Sequence, residues 1–183
     1  MLSCIVILTL SAQPTNRTEM QVDPELQVYA DRFIEESIGY VTKEDLDTLQ
    51  MKFKVYSPGS STAGTCYPFP GLEEIYINKE WWDDNESDIR REQLVFHELA
   101  HCILLRKHTA PTSASNFWGF LEKLAFALGI FRNPGLLPDD CPISIMHPET
   151  IGDYCLEKHY GYYLDELYGF TTPEEYIEQD YEY

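Results

Sequence analysis

The residues at 97–101, His-Glu-Leu-Ala-His, constrain the fold of this 183-residue chain more than any other segment. Apolar residues flank the segment at helical spacing, which predicts an amphipathic helix. On a helix, residues four apart project from the same face, so His97 and His101 can bind one metal ion together. Glu98 lies beside the first imidazole, where a carboxylate can take a proton from water that the ion activates. The alternative is two surface histidines beside an unrelated glutamate.

A catalytic zinc site needs a third protein ligand, since it usually has three and keeps one position open. His108 is the first candidate. In an unbroken helix it would lie roughly 10 Å beyond His101 along the axis. The helix therefore has to end near Ile103–Leu105, and the chain has to turn back. Glu122, on a helix predicted further along the chain, is the competing third ligand. Each candidate has a simpler alternative: His108 as a solvent-facing histidine, and Glu122 as an ordinary residue on the polar face of its helix.

The chain is strongly acidic, with 31 Asp and Glu residues against 13 Lys and Arg residues and a formal net charge of -18. Such a surface repels phosphate, so nucleic acid is a poor partner. The same negative charge would attract cationic substrates or metal ions. The alternative is that it only increases solubility. No segment has the length and apolar character of a membrane-spanning helix, so we expect no stable membrane span. We also expect a monomer.

The N-terminal segment and the cysteines bear on the cellular compartment. Residues 1–12 are apolar and end in small residues, as at the end of a signal peptide, although a basic start is lacking. Cys4 lies inside this stretch, and removing the stretch leaves four cysteines that can form two disulfides. The candidate pairs are Cys141–Cys155 and Cys66–Cys102. We expect a secreted or cell-envelope protein, with four reduced cysteines in the cytoplasm as the alternative.

Local patterns divide the rest of the chain into helices and strands. Asp23 is a helix cap, Pro24 suits the first helical position, and Gly39 ends that helix. A cluster of proline, glycine and serine predicts a turn at 58–64. The strand within 73–78 is either an edge strand that pairs with an extended peptide or an internal strand. Apolar periodicity and capping signals predict further elements at 49–56 (strand), 72–78 (strand), 116–131 (helix), 153–168 (helix) and 172–175 (start of a short tail helix).

The order of motifs along the chain resembles the metzincin clan of metallopeptidases. The segment at 97–101 is followed by His108, and Ser-Ile-Met-His-Pro at 144–148 looks like that clan's Met-turn. More closely, these motifs together with Arg106 and Tyr-Leu-Asp-Glu-Leu at 163–167 are similar to small, largely uncharacterised metallopeptidases of bacteria and their phages.

This resemblance implies an α+β, zincin-like fold of the metzincin type. The fold would comprise a small mixed sheet, an active-site helix and a helical or irregular C-terminal part. The domain would occupy residues 23–170. A signal-like segment and linker at 1–22 would precede it, and an acidic tail at 171–183 would follow.

The same resemblance implies a zinc-dependent endopeptidase that acts on a peptide or protein substrate. His97, His101 and His108 would bind Zn²⁺. Glu98 would be the catalytic base, and Met146 would pack under the metal site. Two alternatives stay open: a gluzincin-type peptidase whose third ligand is the downstream glutamate, and a non-catalytic zinc-binding protein of zincin fold.

Two departures from the metzincin pattern concern the turn after the motif helix. Metzincins place a glycine three residues after the second histidine, which lets the backbone turn, whereas this chain has Leu104. The third histidine, His108, also falls one residue later than usual. We expect the extra residue to make a looser turn that needs no glycine.

Three further residues have simpler expected roles. His147 adjoins the Met-turn methionine and is expected on a surface turn, with a position facing the cleft as the alternative. His159 is expected to be solvent-exposed on the last long helix. Cys102 points away from the histidine face of its helix, which favours a disulfide or a buried thiol over a metal ligand.

Overall fold

The computed structural model describes residues 21–69, 71–109 and 136–181, and these residues form an α+β fold. A small four-stranded mixed sheet packs with five α-helices, which confirms the α+β class and the small mixed sheet predicted from the sequence. In chain order the elements are β1 (Gln21–Val22), α1 (Pro24–Glu36), a 3₁₀ turn (Lys43–Leu46), β2 (Gln50–Lys54), β3 (Gly64–Phe69), β4 (Leu72–Asn78), α2 (Lys79–Asp84), α3 (Asp88–Cys102), α4 (Asp153–Tyr168) and α5 (Pro173–Tyr181).

The strand β3 forms one edge of the sheet, whose strand order is β1-β2-β4-β3. The pairs β1–β2 and β2–β4 are parallel, and β3 runs antiparallel to β4. The hypothesis of an edge strand at Glu73–Asn78 is therefore wrong. That segment belongs to β4, which has β2 on one side and β3 on the other, so the internal alternative holds.

The sequence patterns do not predict β3. Its residues lack the two-residue alternation of a half-buried strand, and the turn expected at 58–64 runs directly into it. Pro68 supplies no N–H to a ladder, which strands tolerate at a sheet edge. Pairing with β4, from Gly64 opposite Ile77 to Phe69 opposite Leu72, holds these residues in strand conformation.

Helix α1 forms as its capping signals predict. The side chain of Asp23 accepts a hydrogen bond from the backbone N–H of Glu25 at 3.2 Å, and Pro24 occupies the first turn. The helix ends at Glu36, three residues before Gly39, whose φ of 83° carries the chain away. A buried face then packs against α3, the helix that carries the histidine motif; the buried residues are Leu26, Tyr29, Ala30 and Phe33.

One buried carboxylate fixes the rotation of α3. Glu92 is only 5% exposed. It accepts hydrogen bonds from Arg32 of α1 at 2.6 Å and from the hydroxyl of Tyr160 of α4 at 2.6 Å. A buried carboxylate with two such donors is satisfied rather than costly. These contacts hold three helices together and so set which face of α3 is turned away from the core.

The C-terminal helix α5 covers part of α4. Tyr176 stacks on Tyr162 with ring centroids 4.1 Å apart, and its hydroxyl lies 2.9 Å from Nδ1 of His159. The expectation that His159 is solvent-exposed is wrong, because this side chain is 2% exposed. The reason is tertiary: α5, rather than solvent, lies against this face of α4.

Both candidate disulfides are present, Cys66–Cys102 and Cys141–Cys155. Two disulfides in a chain of this size are typical of oxidising compartments. The first joins the edge strand to the end of α3, and the second joins the loop before α4 to its first turn. Among the residues that the structure describes, every helix is too short or too polar to cross a membrane.

Candidate metal centre

Three histidine side chains converge on one point at the end of α3. The Nε2 atoms of His97, His101 and His108 lie 3.1 Å from one another in all three pairings. Two nitrogens bound to one zinc ion at 2.0–2.1 Å in tetrahedral geometry are about 3.3–3.4 Å apart. The separations are therefore close to those that a shared metal ion requires. All three predicted ligands form a group that could hold a metal ion.

The two helical ligands come from adjacent turns of α3, as their spacing predicts. His97 is 7% exposed, so its ring is fixed by packing, and His101 is partly exposed. Their rings meet edge to face with centroids 4.6 Å apart. Neighbouring positions of the helix point into the core, which leaves the imidazoles on the face that borders the cleft.

The chain turns back directly after α3, as the third ligand requires. The helix ends at Cys102, with Ile103 as its C-cap. The N–H of Arg106 then donates to the carbonyl of Ala100 at 3.0 Å, and Leu105 has a φ of 53°. This left-handed residue comes one position after Leu104, where metzincins have glycine. The extra residue therefore moves the turn by one position and delivers His108 to the other two histidines.

Backbone carbonyls fix the orientation of both helical imidazoles. Nδ1 of His97 lies 2.9 Å from the carbonyl oxygen of Ile145, and Nδ1 of His101 lies 2.6 Å from that of Arg106. A carbonyl oxygen only accepts, so each Nδ1 carries the proton. Each Nε2 therefore has a free lone pair facing the shared point. Buried metal-binding histidines are generally held in this way.

Burial favours the neutral form of His97 and His108, which is the form that binds metal. Burial lowers the pKa of His97 to about 4, against a smaller opposing effect of the hydrogen bond to Ile145. The pKa of His108 is also lowered, first by burial and then by the neighbouring His101. The proximity of like charges therefore adds to the larger effect of burial.

Glu98 lies in the wall of the cleft, between α3 and the edge strand. Its side chain is buried, with 5% exposed, and burial raises its pKa to about 8. A hydrogen bond from the backbone of Cys66 opposes this rise. Glu98 is therefore a desolvated carboxylate next to His97, one of the three histidines that could hold a metal ion. Carboxylates in such surroundings are poised to exchange protons near neutral pH.

Gly64 lies against Glu98, a close contact that the sequence patterns do not reveal. A Cβ atom at this residue would lie 2.6 Å from Oε1 of Glu98 and 2.8 Å from its Cγ. Real Cβ atoms essentially never approach another heavy atom this closely, so any larger residue here would require the side chain of Glu98 to shift. Gly64 is the first residue of β3, whereas the sequence placed it at the end of a predicted turn at 58–64.

The segment resembling a Met-turn lies against the loop that carries His108. Met146 is fully buried, and its carbonyl accepts a hydrogen bond from Thr109 at 3.2 Å. His147 lies on the border of the cleft, and its Nδ1 accepts from the N–H of Glu149 at 3.2 Å. His147 is therefore partly exposed next to a turn, as expected, and it also borders the cleft.

The histidines and Glu98 border an open cleft of about 990 Å³. One wall is formed by β3 and the residues before it, and the other by the loops that carry His108 and His147. Arg106 and Lys107 also border the cleft, which is notable in so acidic a chain.

A second cluster of possible ligands does not form a metal site. Asp139, Cys141 and His159 lie close together. The sulfur of Cys141 is bonded to Cys155, and both ring nitrogens of His159 already have partners, Asp139 at 2.8 Å and a tyrosine hydroxyl. A cysteine binds metal as a thiolate, and a sulfur in a disulfide is not a thiolate.

Comparisons with protein-family models, curated proteins and solved structures found no match to this chain. The resemblance to metzincins therefore rests on the motifs and on the geometry given above. The competing ligand Glu122 and the helix predicted at 116–131 lie outside the described residues. So do residues 1–20 of the signal-like segment and linker predicted at 1–22.

Proposed function

We propose that this protein is a zinc-dependent endopeptidase of zincin fold. The observation that carries the proposal is the convergence of three imidazole nitrogens at 3.1 Å, next to a buried carboxylate in an open cleft. Structural zinc sites usually have four protein ligands, whereas catalytic sites have three and an open position. Among the described residues, the donors at this point are His97, His101 and His108.

The donor set fits zinc. Imidazole nitrogens are good ligands for Zn²⁺ in tetrahedral sites, whereas magnesium and calcium prefer oxygen ligands. When bound, zinc would lower the pKa of a coordinated water toward neutrality and polarise the carbonyl of the scissile peptide bond. The hydrogen bonds to Ile145 and Arg106 hold His97 and His101 in the tautomer that this role requires.

Glu98 supplies the proton transfer. Its carboxylate accepts the proton of the attacking water and then donates it to the nitrogen of the leaving amine. The raised pKa suits both steps, since the group has to accept and release a proton near neutral pH. The close approach of Gly64 and the backbone of Cys66 confines the carboxylate to one position beside the metal centre.

The edge strand β3 offers the substrate a backbone to pair with. Its partner β4 occupies one side, and the other side borders the cleft. An extended peptide can add to such an edge through main-chain hydrogen bonds that tolerate many sequences. Because Pro68 has no N–H, this pairing is confined to the part of β3 before it, which is the part nearest Glu98.

Substitution of Glu98 tests the peptidase directly. Purified protein should contain one zinc ion per chain and hydrolyse an unfolded protein in a chelator-sensitive manner. Glu98→Gln should lower kcat by about 10²–10⁴-fold, the contribution of a general base, and retain zinc. Glu149→Gln is the matched control, because Glu149 also borders the cleft but is exposed. Hydrolysis that is equal in both variants would remove Glu98 from the mechanism.

The two alternative functions give different results in the same assays. A non-catalytic zinc-binding protein of zincin fold would retain zinc and show no hydrolysis. A gluzincin-type peptidase would lose zinc in Glu122→Ala and keep it in His108→Ala. The position of His108 favours the reverse result, because its Nε2 already lies with the other two histidines.

A further inference from the structure

A buried hydrogen-bond network connects the metal centre to the end of helix α4. Its central residue is Glu166, which is 6% exposed and lies in the last turn of α4. One carboxylate oxygen accepts from the guanidinium of Arg106, and the other accepts from the hydroxyl of Ser144 at 2.7 Å. Both oxygens of this carboxylate are therefore bound to the two loops that flank the histidines.

The same two loops provide the carbonyls that orient the imidazoles. Arg106, whose side chain is held by Glu166, presents its own carbonyl to His101. Ser144 precedes Ile145, whose carbonyl orients His97. The hydroxyl of Ser144 also accepts the N–H of Met146 at 3.0 Å, which shapes the turn around that carbonyl.

Arg106 is held by more than one contact. Its guanidinium also donates to the backbone carbonyls of Glu166 and Leu167, each at 3.0 Å. These are carbonyls at the C-terminal end of α4, where a cation is favoured by the helix dipole and by the lack of partners within the helix. Charge-assisted hydrogen bonds of this kind are stronger than those between neutral groups. The backbone at residue 106 is therefore fixed relative to α4.

We propose that Glu166 is a positioning residue for the metal centre, which sets the orientation of His97 and His101 through Ser144 and Arg106. It touches neither substrate nor metal. It acts because the two loops would otherwise be free to shift relative to each other, and each shift would rotate one imidazole. This proposal rests on the proposed metal site. It identifies the part of the fold that controls the affinity of that site for zinc.

Zinc affinity of Glu166→Gln, measured by competition with a chelator, tests this role. We expect zinc to bind about 10-fold or more weakly, as for other residues that support metal ligands indirectly. The visible spectrum of the cobalt-substituted protein should also change, because it reports the geometry of the ligands. Tyr168→Phe is the control: it lies on the same helix, is buried and loses its hydrogen bond to Phe33, but has no link to the site.

Unchanged zinc affinity and an unchanged cobalt spectrum in Glu166→Gln would overturn the proposal, even if the variant is less stable. Ser144→Ala provides a second variant should Glu166→Gln fail to fold, since it removes a single hydroxyl. It should weaken zinc binding while Tyr168→Phe does not, and equal affinity in the two would also overturn the proposal. A wild-type protein that binds zinc without hydrolysing peptides would end the peptidase proposal and leave this one standing.

Discussion

Gly64 and Glu98 approach each other so closely that any side chain at position 64 would displace the side chain of Glu98. The first atom of any side chain there would lie 2.6 Å from Oε1 of Glu98. The edge strand and the buried carboxylate are therefore matched in shape. The contact also limits the side-chain conformations of Glu98, which is how a general base is kept in place before substrate binds.

Gly64→Ala should consequently impair hydrolysis without removing the metal. The methyl group would displace the carboxylate of Glu98, and a misplacement of about 1 Å costs on the order of 10²-fold in rate. Zinc content should stay at one per chain, because the atoms nearest to a Cβ at residue 64 all belong to Glu98 and none to a histidine. Gly161→Ala is a matched control, since a Cβ there meets no atom within 4 Å. Full activity in Gly64→Ala would show that Glu98 has room to move.

The disulfide Cys66–Cys102 should matter for both stability and activity. Replacing both cysteines by serine should lower the free energy of unfolding by about 3–4 kcal/mol, from the loop that it closes. Activity should also fall at temperatures where the variant is folded, because the disulfide joins β3, which lies beside Glu98, to α3, which carries Glu98. Denaturant unfolding and hydrolysis rates measure the two effects.

The disulfide Cys141–Cys155 serves as the comparison. Its sequence separation of 14 residues predicts a loss of about 3 kcal/mol when both cysteines become serine. It lies before and within α4, away from β3. Equal losses of activity in the two double variants, both folded, would contradict a specific role for the bond at the edge strand.

Capping signals and the motif helix were predictable because they are local. Asp23 and Pro24 determine the start of α1 through atoms two or three residues apart. The spacing of His97 and His101 determines that they share a helix face. The need for a turn before His108 followed from helix geometry alone, and the structure confirms it at Leu105.

The features that the sequence did not predict depend on distant partners. The strand at Gly64–Phe69 exists because β4 pairs with it, and its own residues carry no strand pattern. His159 is buried because a later helix lies against it. Arg106 and Glu166 are 60 residues apart, and no local pattern indicates their contact. Each of these requires the tertiary arrangement, which a single sequence does not display.

The left-handed backbone at Leu105 is a source of strain that glycine should relieve. A left-handed conformation costs a non-glycine residue about 1–2 kcal/mol, while glycine loses roughly 0.5–1 kcal/mol through its greater freedom when unfolded. Leu105→Gly should therefore raise the free energy of unfolding of the metal-free protein by about 0.5–1 kcal/mol. Leu105→Ala removes the same exposed side chain and keeps the strain, so it is the control. If Leu105→Gly is less stable than Leu105→Ala, the backbone at residue 105 is not strained.

Asp139 should make stability depend on acidic pH. Burial raises its pKa, but hydrogen bonds from Lys158 and His159 lower it more, and the net result lies well below the ordinary value. A carboxylate with a depressed folded-state pKa stabilises the fold above its unfolded pKa of about 3.9 and loses that effect as pH falls further. Denaturant unfolding at pH 5 and pH 3 should show a larger loss for the wild type than for Asp139→Asn. Parallel losses in both would show that Asp139 does not contribute.

The most direct measurement is a crystal structure of the zinc-loaded protein with anomalous diffraction recorded at the zinc edge. We expect one zinc ion 2.0–2.1 Å from the Nε2 atoms of His97, His101 and His108, with the carboxylate of Glu98 beside the open position. A zinc ion bound to Glu122 in place of His108, or bound away from the three histidines, would contradict the proposed metal centre.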